Sequence, residues 1–110
     1  MPYIFDMYTI VETPTFIADA KSIWTEDERG AFCAWLSVNP EAGDVIPKTG
    51  GCRKVRWSRA GMGKRGGVRV IYFTRLACGE IWLLVIYAKS VQENIPAHLL
   101  KAIREAIEND

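Results

Sequence analysis

The residues best suited to chemistry in this sequence are positively charged, and most of them lie together in the middle of the chain. Between Val45 and Gly79 there are nine Lys and Arg and no acidic residue, whereas all thirteen Asp and Glu lie outside this segment. The net charge of only +1 therefore hides a strongly basic block. A surface with one sign of charge attracts polyanions, of which nucleic acids are the commonest in a cell. The nine cations are Lys48, Arg53, Lys54, Arg56, Arg59, Lys64, Arg65, Arg69 and Arg75.

Strand periodicity predicts that three of these cations share one surface. Lys54 and Arg56 are two residues apart in a predicted strand, so their side chains point to the same face. Val55 and Trp57 point to the other face, which we expect to pack against helices. Arg69 lies in a neighbouring predicted strand among apolar residues. Its charged group must therefore point to the face of the sheet that those helices leave open. The sequence thus predicts a basic site formed by Lys54, Arg56 and Arg69.

The glycine-rich segment Gly61–Gly67 carries two more cations, Lys64 and Arg65. It is not a Walker A loop, because Arg65 stands where that motif has Ser or Thr. We predict instead a basic hairpin loop that contacts the same polyanion. The alternative is that all these cations merely solvate a sheet, but solvated surfaces usually intersperse both signs of charge.

Cleavage of RNA is the chemistry that such a basic site suggests. It requires removal of a proton from a 2′-hydroxyl, stabilisation of charge on the phosphoryl oxygens and protonation of the leaving 5′-oxygen. Histidines commonly carry these protons, but the chain has only His98, which we expect to be a surface residue early in the last helix. Lys54 or Lys89 is therefore predicted to carry protons, while Arg56 and Arg69 clamp the phosphate. Because no carboxylate cluster accompanies these cations, we expect neither a metal ion nor another cofactor.

The apolar pattern predicts a single α+β domain that spans residues 1–110. Tyr8–Glu12 favours a short edge strand. Thr13 with Pro14, and then Thr25 with Glu28, mark the starts of two helices. Three further strands are predicted around Lys54–Ser58, Val68–Arg75 and Ile81–Ala88, and a last helix from Pro96 has one apolar stripe formed by Leu99, Leu100, Ile103 and Ile107.

The cysteines and the apolar segments indicate where the protein works. Cys33, Cys52 and Cys78 form no CxxC pair and give an odd count, so we expect reduced thiols in a cytoplasmic protein. The strongest apolar run, Ile81–Ala88, is far too short to span a bilayer. No membrane partner is therefore expected.

Four separately spaced motifs of this sequence, Gly43–Pro47, Thr49–Trp57, Gly63–Tyr72 and Leu84–Ser90, together carry a family resemblance. The chain resembles the RelE/HigB-type toxins of bacterial type II toxin–antitoxin systems, and among them it is most similar to the HigB branch. The resemblance implies a RelE-like α+β fold. In that fold two N-terminal helices pack on a small twisted, mainly antiparallel sheet of three to four strands, and a C-terminal helix follows.

The resemblance also implies a metal-independent endoribonuclease that cuts messenger RNA in the ribosomal A site. Lys54 and Arg56 match family positions of phosphate contact and proton transfer, and Arg69 matches the arginine that stabilises the transition state. Lys89 matches a basic position after the last strand. Tyr87, two residues before Lys89, is predicted to belong with Lys89 to the catalytic site, and its ring is a candidate for stacking on a nucleobase.

Two departures from the family pattern leave questions open. Ser90 stands where RelE proper has an additional arginine, and the isoelectric point of about 7.7 is lower than that expected of a ribosome-docking toxin. Which group is the general acid, and whether cleavage depends on the ribosome, therefore stay open.

Four more cations are expected to contact RNA. These four predicted RNA contacts are Arg53, Arg59, Lys64 and Arg65.

The resemblance further implies a cognate protein antitoxin of the HigA type, which carries a helix-turn-helix. The main alternative is a ParE-like toxin of the same superfamily, which inhibits DNA gyrase by binding and has no RNase activity. A second alternative is a non-catalytic RNA-binding module. Cations such as Lys54, Arg56 and Arg69 on one face favour the nuclease, although similarity of fold alone does not decide between these functions.

Overall fold

The computed structural model describes residues 7–58, 67–88 and 95–109. Within these ranges the chain forms three α-helices, five β-strands and one short 3-10 turn at Leu76–Cys78. In chain order the elements are β1 (Thr9–Glu12), α1 (Pro14–Lys21), α2 (Glu26–Ser37), β2 (Asp44–Val45), β3 (Arg53–Trp57), β4 (Val68–Arg75), β5 (Glu80–Ala88) and α3 (Ala97–Glu108). No helix in the described part of the chain is both long and apolar enough to cross a membrane.

The strands form one mixed sheet in the order β1-β5-β4-β3-β2. The edge strand β1 pairs in parallel with β5, whereas all other neighbours are antiparallel. The predicted α+β fold class is thus confirmed, as is the position of β1 at an edge. The sheet has one strand more than predicted, because the two-residue strand β2 forms within a passage that is rich in turn residues.

Both predicted helix starts carry the expected caps. Thr13 precedes α1, and its hydroxyl accepts a hydrogen bond from the amide of Phe16 at 3.3 Å. Thr25 and Glu28 form a complete capping box at α2, in which the Glu28 amide donates to the Thr25 hydroxyl at 3.1 Å and the Thr25 amide donates to the Glu28 carboxylate at 2.8 Å. These bonds satisfy amides that a helix leaves unpaired at its first turn.

Helices α1 and α2 cover one face of the sheet and enclose the larger core. Phe16 and Ala20 from α1, with Phe32 and Leu36 from α2, pack against strand residues that include Val55 of β3. Trp57 also packs against this cluster, as the alternation in β3 predicts. The neighbouring residues Lys54 and Arg56 must therefore point to the opposite face.

Helix α3 packs on that opposite face and forms a smaller core. Leu100 packs with Cys52, the residue directly before β3. It also packs with Ile71 and Phe73 of β4 and with Leu84 of β5. The thiol of Cys52 also lies 3.8 Å from the carbonyl oxygen of Leu100. The last helix therefore covers part of the same sheet face that carries the predicted basic site.

The apolar stripe predicted for α3 lies along one side of the helix, but only part of it is buried. Leu100 is buried and Ile107 is half-buried, but Leu99 and Ile103 are 48% and 40% exposed. The buried side of the helix runs from Leu100 through Arg104 to Ile107, at the spacing of one helix face. Arg104 fits there because the loop beneath it has Gly50, where a Cβ atom would lie 2.5 Å from the Arg104 Nε.

A buried tyrosine fixes the chain segment that leads into β2. Tyr72 is 0% exposed, and its hydroxyl donates to the carbonyl of Pro40 and accepts from the amide of Gly43, each at 2.9 Å. Burial raises the pKa of Tyr72, and the hydrogen bond with Gly43 partly opposes that shift. Tyr72 is thus a core residue, and its hydroxyl holds the backbone just before β2.

Substitution Tyr72→Phe is expected to lower the free energy of unfolding by about 1–3 kcal/mol, because the buried amide of Gly43 loses its partner. The matched control is Tyr8→Phe, where the half-buried ring packs beside the main core and a change within about 0.5 kcal/mol is expected. Urea denaturation of both variants measures the difference. Equal stabilities would show that the Tyr72 hydroxyl does not anchor this segment.

Candidate active site on the basic face of the sheet

Two arginines lie directly opposite each other on the predicted face. Arg56 of β3 pairs with Arg69 of β4, and Arg69 in turn pairs with Tyr87 of β5. Directly opposite residues of antiparallel strands share a face, with Cβ atoms about 4.5–5.5 Å apart. The register therefore brings Arg56, Arg69 and Tyr87 into one row across three strands.

A second row lies beside the first. Lys54 pairs with Ile71 of β4 on one side and with Asp44 of β2 on the other. Asp44, Lys54, Arg56 and Arg69 line one shallow depression of about 150 Å³, together with Val55. The structure thus brings together Lys54, Arg56 and Arg69, the three cations that strand alternation assigned to one site.

The electrostatics of this depression favour an anion. Like charges directly opposite in a sheet are destabilising, so the pairing of Arg56 with Arg69 costs stability unless an anion lies between them. Lys54 and Arg56 are exposed, whereas Arg69 is half-buried. The Nη1 atom of Arg69 is buried and has no hydrogen-bond acceptor among the described residues. An arginine in this state is suited to a phosphate oxygen, which accepts charge-assisted hydrogen bonds.

Asp44 is a member of the depression that the sequence did not predict. It lies one residue before the acid-free segment, and only the pairing of β2 with β3 brings it opposite Lys54. The local indication of a strand at this point was a short apolar run, Val45 and Ile46, directly after Asp44. Such a signal is too short to define a strand or a register.

Arg53 does not join the other cations. It is paired with Tyr72, so it lies on the face that α1 and α2 cover. Its Nη1 donates to the carbonyl oxygens of Gly43 at 2.7 Å and Glu41 at 3.3 Å. The predicted RNA contact of Arg53 stays a prediction, while its observed bonds hold the turn before β2.

The remaining predicted site residues have different positions. Tyr87 is half-buried and packs at the side of the smaller core beneath α3. His98 is exposed in the first turn of α3, as expected for a surface residue. Arg59, Lys64, Arg65 and Lys89 lie outside the described residues.

Other charged and ligating groups lie apart from the depression. Arg75 is at the far end of β4, where it forms an ion pair with Glu80 at 3.3 Å. Within residues 7–58, 67–88 and 95–109, no three His, Cys, Asp or Glu side chains form a group that could hold a metal ion. Burial raises the pKa of the Cys33 thiol to about 11, and it also raises that of Cys52.

The arrangement of helices and strands is that of the RelE-like fold. The structure of the Escherichia coli toxin RelE in the free state, in a variant with two arginines replaced by alanine, matches this chain with a TM-score of 0.62. The match covers 89% of this chain and 97% of that one, at 11% sequence identity. At this identity the similarity establishes the fold. No protein-family model matches the chain.

Proposed function

We propose that this chain, as a single domain of residues 1–110, is the toxin of a type II toxin–antitoxin pair and belongs to the HigB branch of RelE-like proteins. Its proposed activity is metal-independent endonucleolytic cleavage of messenger RNA in the ribosomal A site, which inhibits translation. The observation that carries this proposal is the facing pair Arg56 and Arg69, with Lys54 beside them, in an open depression. Such a group fits one phosphodiester.

Each residue of the depression has a proposed task. Arg69 donates hydrogen bonds to the phosphoryl oxygens and stabilises the charge that develops on them in the transition state. Arg56 fixes the phosphate from the opposite strand, and Lys54 carries a proton. Tyr87, in the same row as Arg69, stacks on a nucleobase, and Lys89 adds a further cation after β5.

The wider surface is proposed to bind RNA and a protein partner. Arg53, Arg59, Lys64 and Arg65 contact the RNA backbone. A HigA-like antitoxin with a helix-turn-helix neutralises the toxin in the cytoplasm. Electrostatic complementarity to the basic face is one way in which such a partner gains specificity and speed of association.

Induction of the chain in growing bacteria, followed by mapping of RNA 5′ ends with and without active translation, tests the proposed function. A ribosome-dependent nuclease produces new 5′ ends within translated messages, and these ends disappear when translation is blocked. Ends that persist without translation indicate a free RNase. Intact messages accompanied by DNA damage indicate a ParE-like gyrase inhibitor, and intact messages with bound RNA indicate a binding module. Either of the last two results rejects the nuclease.

Binding to the ribosome is expected to weaken steeply with salt, because each phosphate contact releases counterions. With about three contacts, the slope of log K against log salt concentration is expected to be about −2 to −3. Lys54→Met should make this slope shallower by nearly one. Lys21→Met is the control, since Lys21 is exposed at the end of α1 on the other side of the sheet. A slope near zero for the unmodified chain would contradict phosphate docking.

A further inference from the structure

The basic depression contains one acidic side chain, and its position is set by the sheet. Asp44 pairs directly with Lys54 and lines the same depression as Arg56 and Arg69. Asp44 is exposed, and among the described residues no ion pair within 4.0 Å joins it to Lys54. A carboxylate that faces three cations without a fixed partner is available to substrate.

The backbone around Asp44 is held from several sides. The Tyr72 hydroxyl binds the amide of Gly43, and Arg53 binds the carbonyl of Gly43 at 2.7 Å. After β2, the amide of Ile46 donates to the carbonyl of Cys52 at 2.8 Å. Gly43 also allows close approach to β3, because a Cβ atom there would lie 2.9 Å from the carbonyl oxygen of Lys54. The carboxylate of Asp44 is therefore presented from a fixed edge strand.

The chemical types in the depression point to one role for Asp44. An arginine does not give up its proton in a protein, and a lysine ammonium is a donor without an acceptor. Among the charged side chains that line the depression, only Asp44 accepts a proton without first losing one. We propose that Asp44 is the general base of the cleavage reaction, an inference that rests on the proposed ribonuclease function.

In the proposed cleavage step Asp44 and Lys54 each transfer one proton. Asp44 takes the proton of the 2′-hydroxyl as the 2′-oxygen attacks the adjacent phosphorus. The new bond between phosphorus and the 2′-oxygen forms while the bond to the 5′-oxygen breaks, and the leaving 5′-oxygen takes a proton from the Lys54 ammonium. The products are a 2′,3′-cyclic phosphate and a 5′-hydroxyl. Water then carries the proton from Asp44 to the Lys54 amine, which restores both residues.

Asp44→Asn is the direct test, because asparagine keeps the shape but accepts no proton as a base. The single-turnover rate of RNA cleavage is expected to fall by about 10²- to 10⁴-fold. Affinity for a message with a 2′-deoxy nucleotide at the cut site should stay equal or rise, because a negative charge near the phosphates is removed. The control is Glu41→Gln, an exposed carboxylate in the preceding turn outside the depression, which should cleave like the unmodified chain.

A modified substrate separates a general base from a general acid. When sulfur replaces the bridging 5′-oxygen, the leaving group departs without protonation, so the substrate compensates for a lost acid and not for a lost base. Lys54→Met should recover most of its rate on this substrate, whereas Asp44→Asn should stay slow. Recovery by Asp44→Asn would overturn the assignment, as would cleavage of ordinary RNA by Asp44→Asn at the unmodified rate.

Cleavage by the unmodified chain and by Asp44→Asn, measured side by side, separates the base role of Asp44 from the ribonuclease function itself. If the unmodified chain cleaves RNA and Asp44→Asn cleaves it equally well, the nuclease stands and the base role falls. If the unmodified chain cleaves no RNA, both are rejected. Asp44→Glu provides a second variant, since its longer carboxylate should retain more activity than Asp44→Asn. Equal loss in both variants, with lost affinity for the 2′-deoxy message, would assign Asp44 a structural role and reject the base.

Discussion

Replacing Arg69 with alanine is expected to reduce RNA cleavage by about 10²- to 10³-fold while the protein stays folded. Arg69 faces Arg56 in the depression, and its buried Nη1 has no acceptor among the described residues. Removal of the side chain therefore costs little folding energy, and we expect a change below about 1 kcal/mol in the free energy of unfolding. Single-turnover cleavage and thermal unfolding, measured on the same preparation, test the two halves of this prediction.

Arg75→Ala is the matched control for Arg69→Ala. Both arginines belong to β4, but Arg75 lies at the other end of the strand and is paired with Glu80. We expect its replacement to leave cleavage within about twofold and to cost at most about 1 kcal/mol, the usual upper value for a surface ion pair. If Arg69→Ala cleaved as fast as Arg75→Ala, Arg69 would have no part in the transition state.

Gly67→Ala is expected to produce a large loss of stability. Gly67 precedes β4 with a φ angle of +76°, and a Cβ atom there would lie 2.1 Å from the carbonyl oxygen of Trp57. Backbone strain and the clash together should lower the free energy of unfolding by roughly 3 kcal/mol. A decrease in Tm of about 10 °C or more should follow. Because Gly67 adjoins the strand that carries Arg69, cleavage should also fall.

Gly30→Ala should act in the opposite direction. Gly30 lies inside α2, and a Cβ atom there meets nothing within 4 Å. Alanine in a helix interior is favoured over glycine by about 0.5–1 kcal/mol, so this variant should be more stable than the unmodified chain. Calorimetric scans of both variants provide the comparison. Similar Tm values for Gly30→Ala and Gly67→Ala would contradict the strain assigned to Gly67.

The shared face of Lys54 and Arg56 could be predicted because β3 is short, regular and packed against α1 and α2 on its other face. Val55 and Trp57 must be buried, so the period of two leaves Lys54 and Arg56 on the other face. Arg53 was predicted to contact RNA, but the same period of two puts it on the face of Val55, and the structure places it there, opposite Tyr72 and away from the depression.

Asp44 and the order of the strands could not be predicted from local patterns. Two residues of β2 show no periodicity, and their pairing with β3 depends on contacts of Gly43 with Tyr72, 29 positions away. The parallel pairing of Thr9 with Glu80 likewise joins distant parts of the chain. Register of this kind is set by the packing of a whole sheet face rather than by short sequence patterns.

The buried side of α3 also differs from the predicted apolar stripe, and the cause is local packing. An apolar stripe through Leu99 and Ile103 obeys helical spacing, but the helix instead turns Arg104 inward over Gly50. An arginine is amphipathic, so its stem can be buried in place of an apolar side chain. The spacing of apolar residues alone therefore does not predict which side of such a helix is buried.

The most direct test of the central claim is cleavage of a defined message by the purified chain. Ribosomes that hold this message with an empty A site are incubated with the unmodified chain or with Arg69→Ala, and the RNA 5′ ends are mapped. The proposed function predicts a cut in the A-site codon with the unmodified chain and none with Arg69→Ala. An intact message, at concentrations where the unmodified chain binds ribosomes or inhibits gyrase, would contradict it.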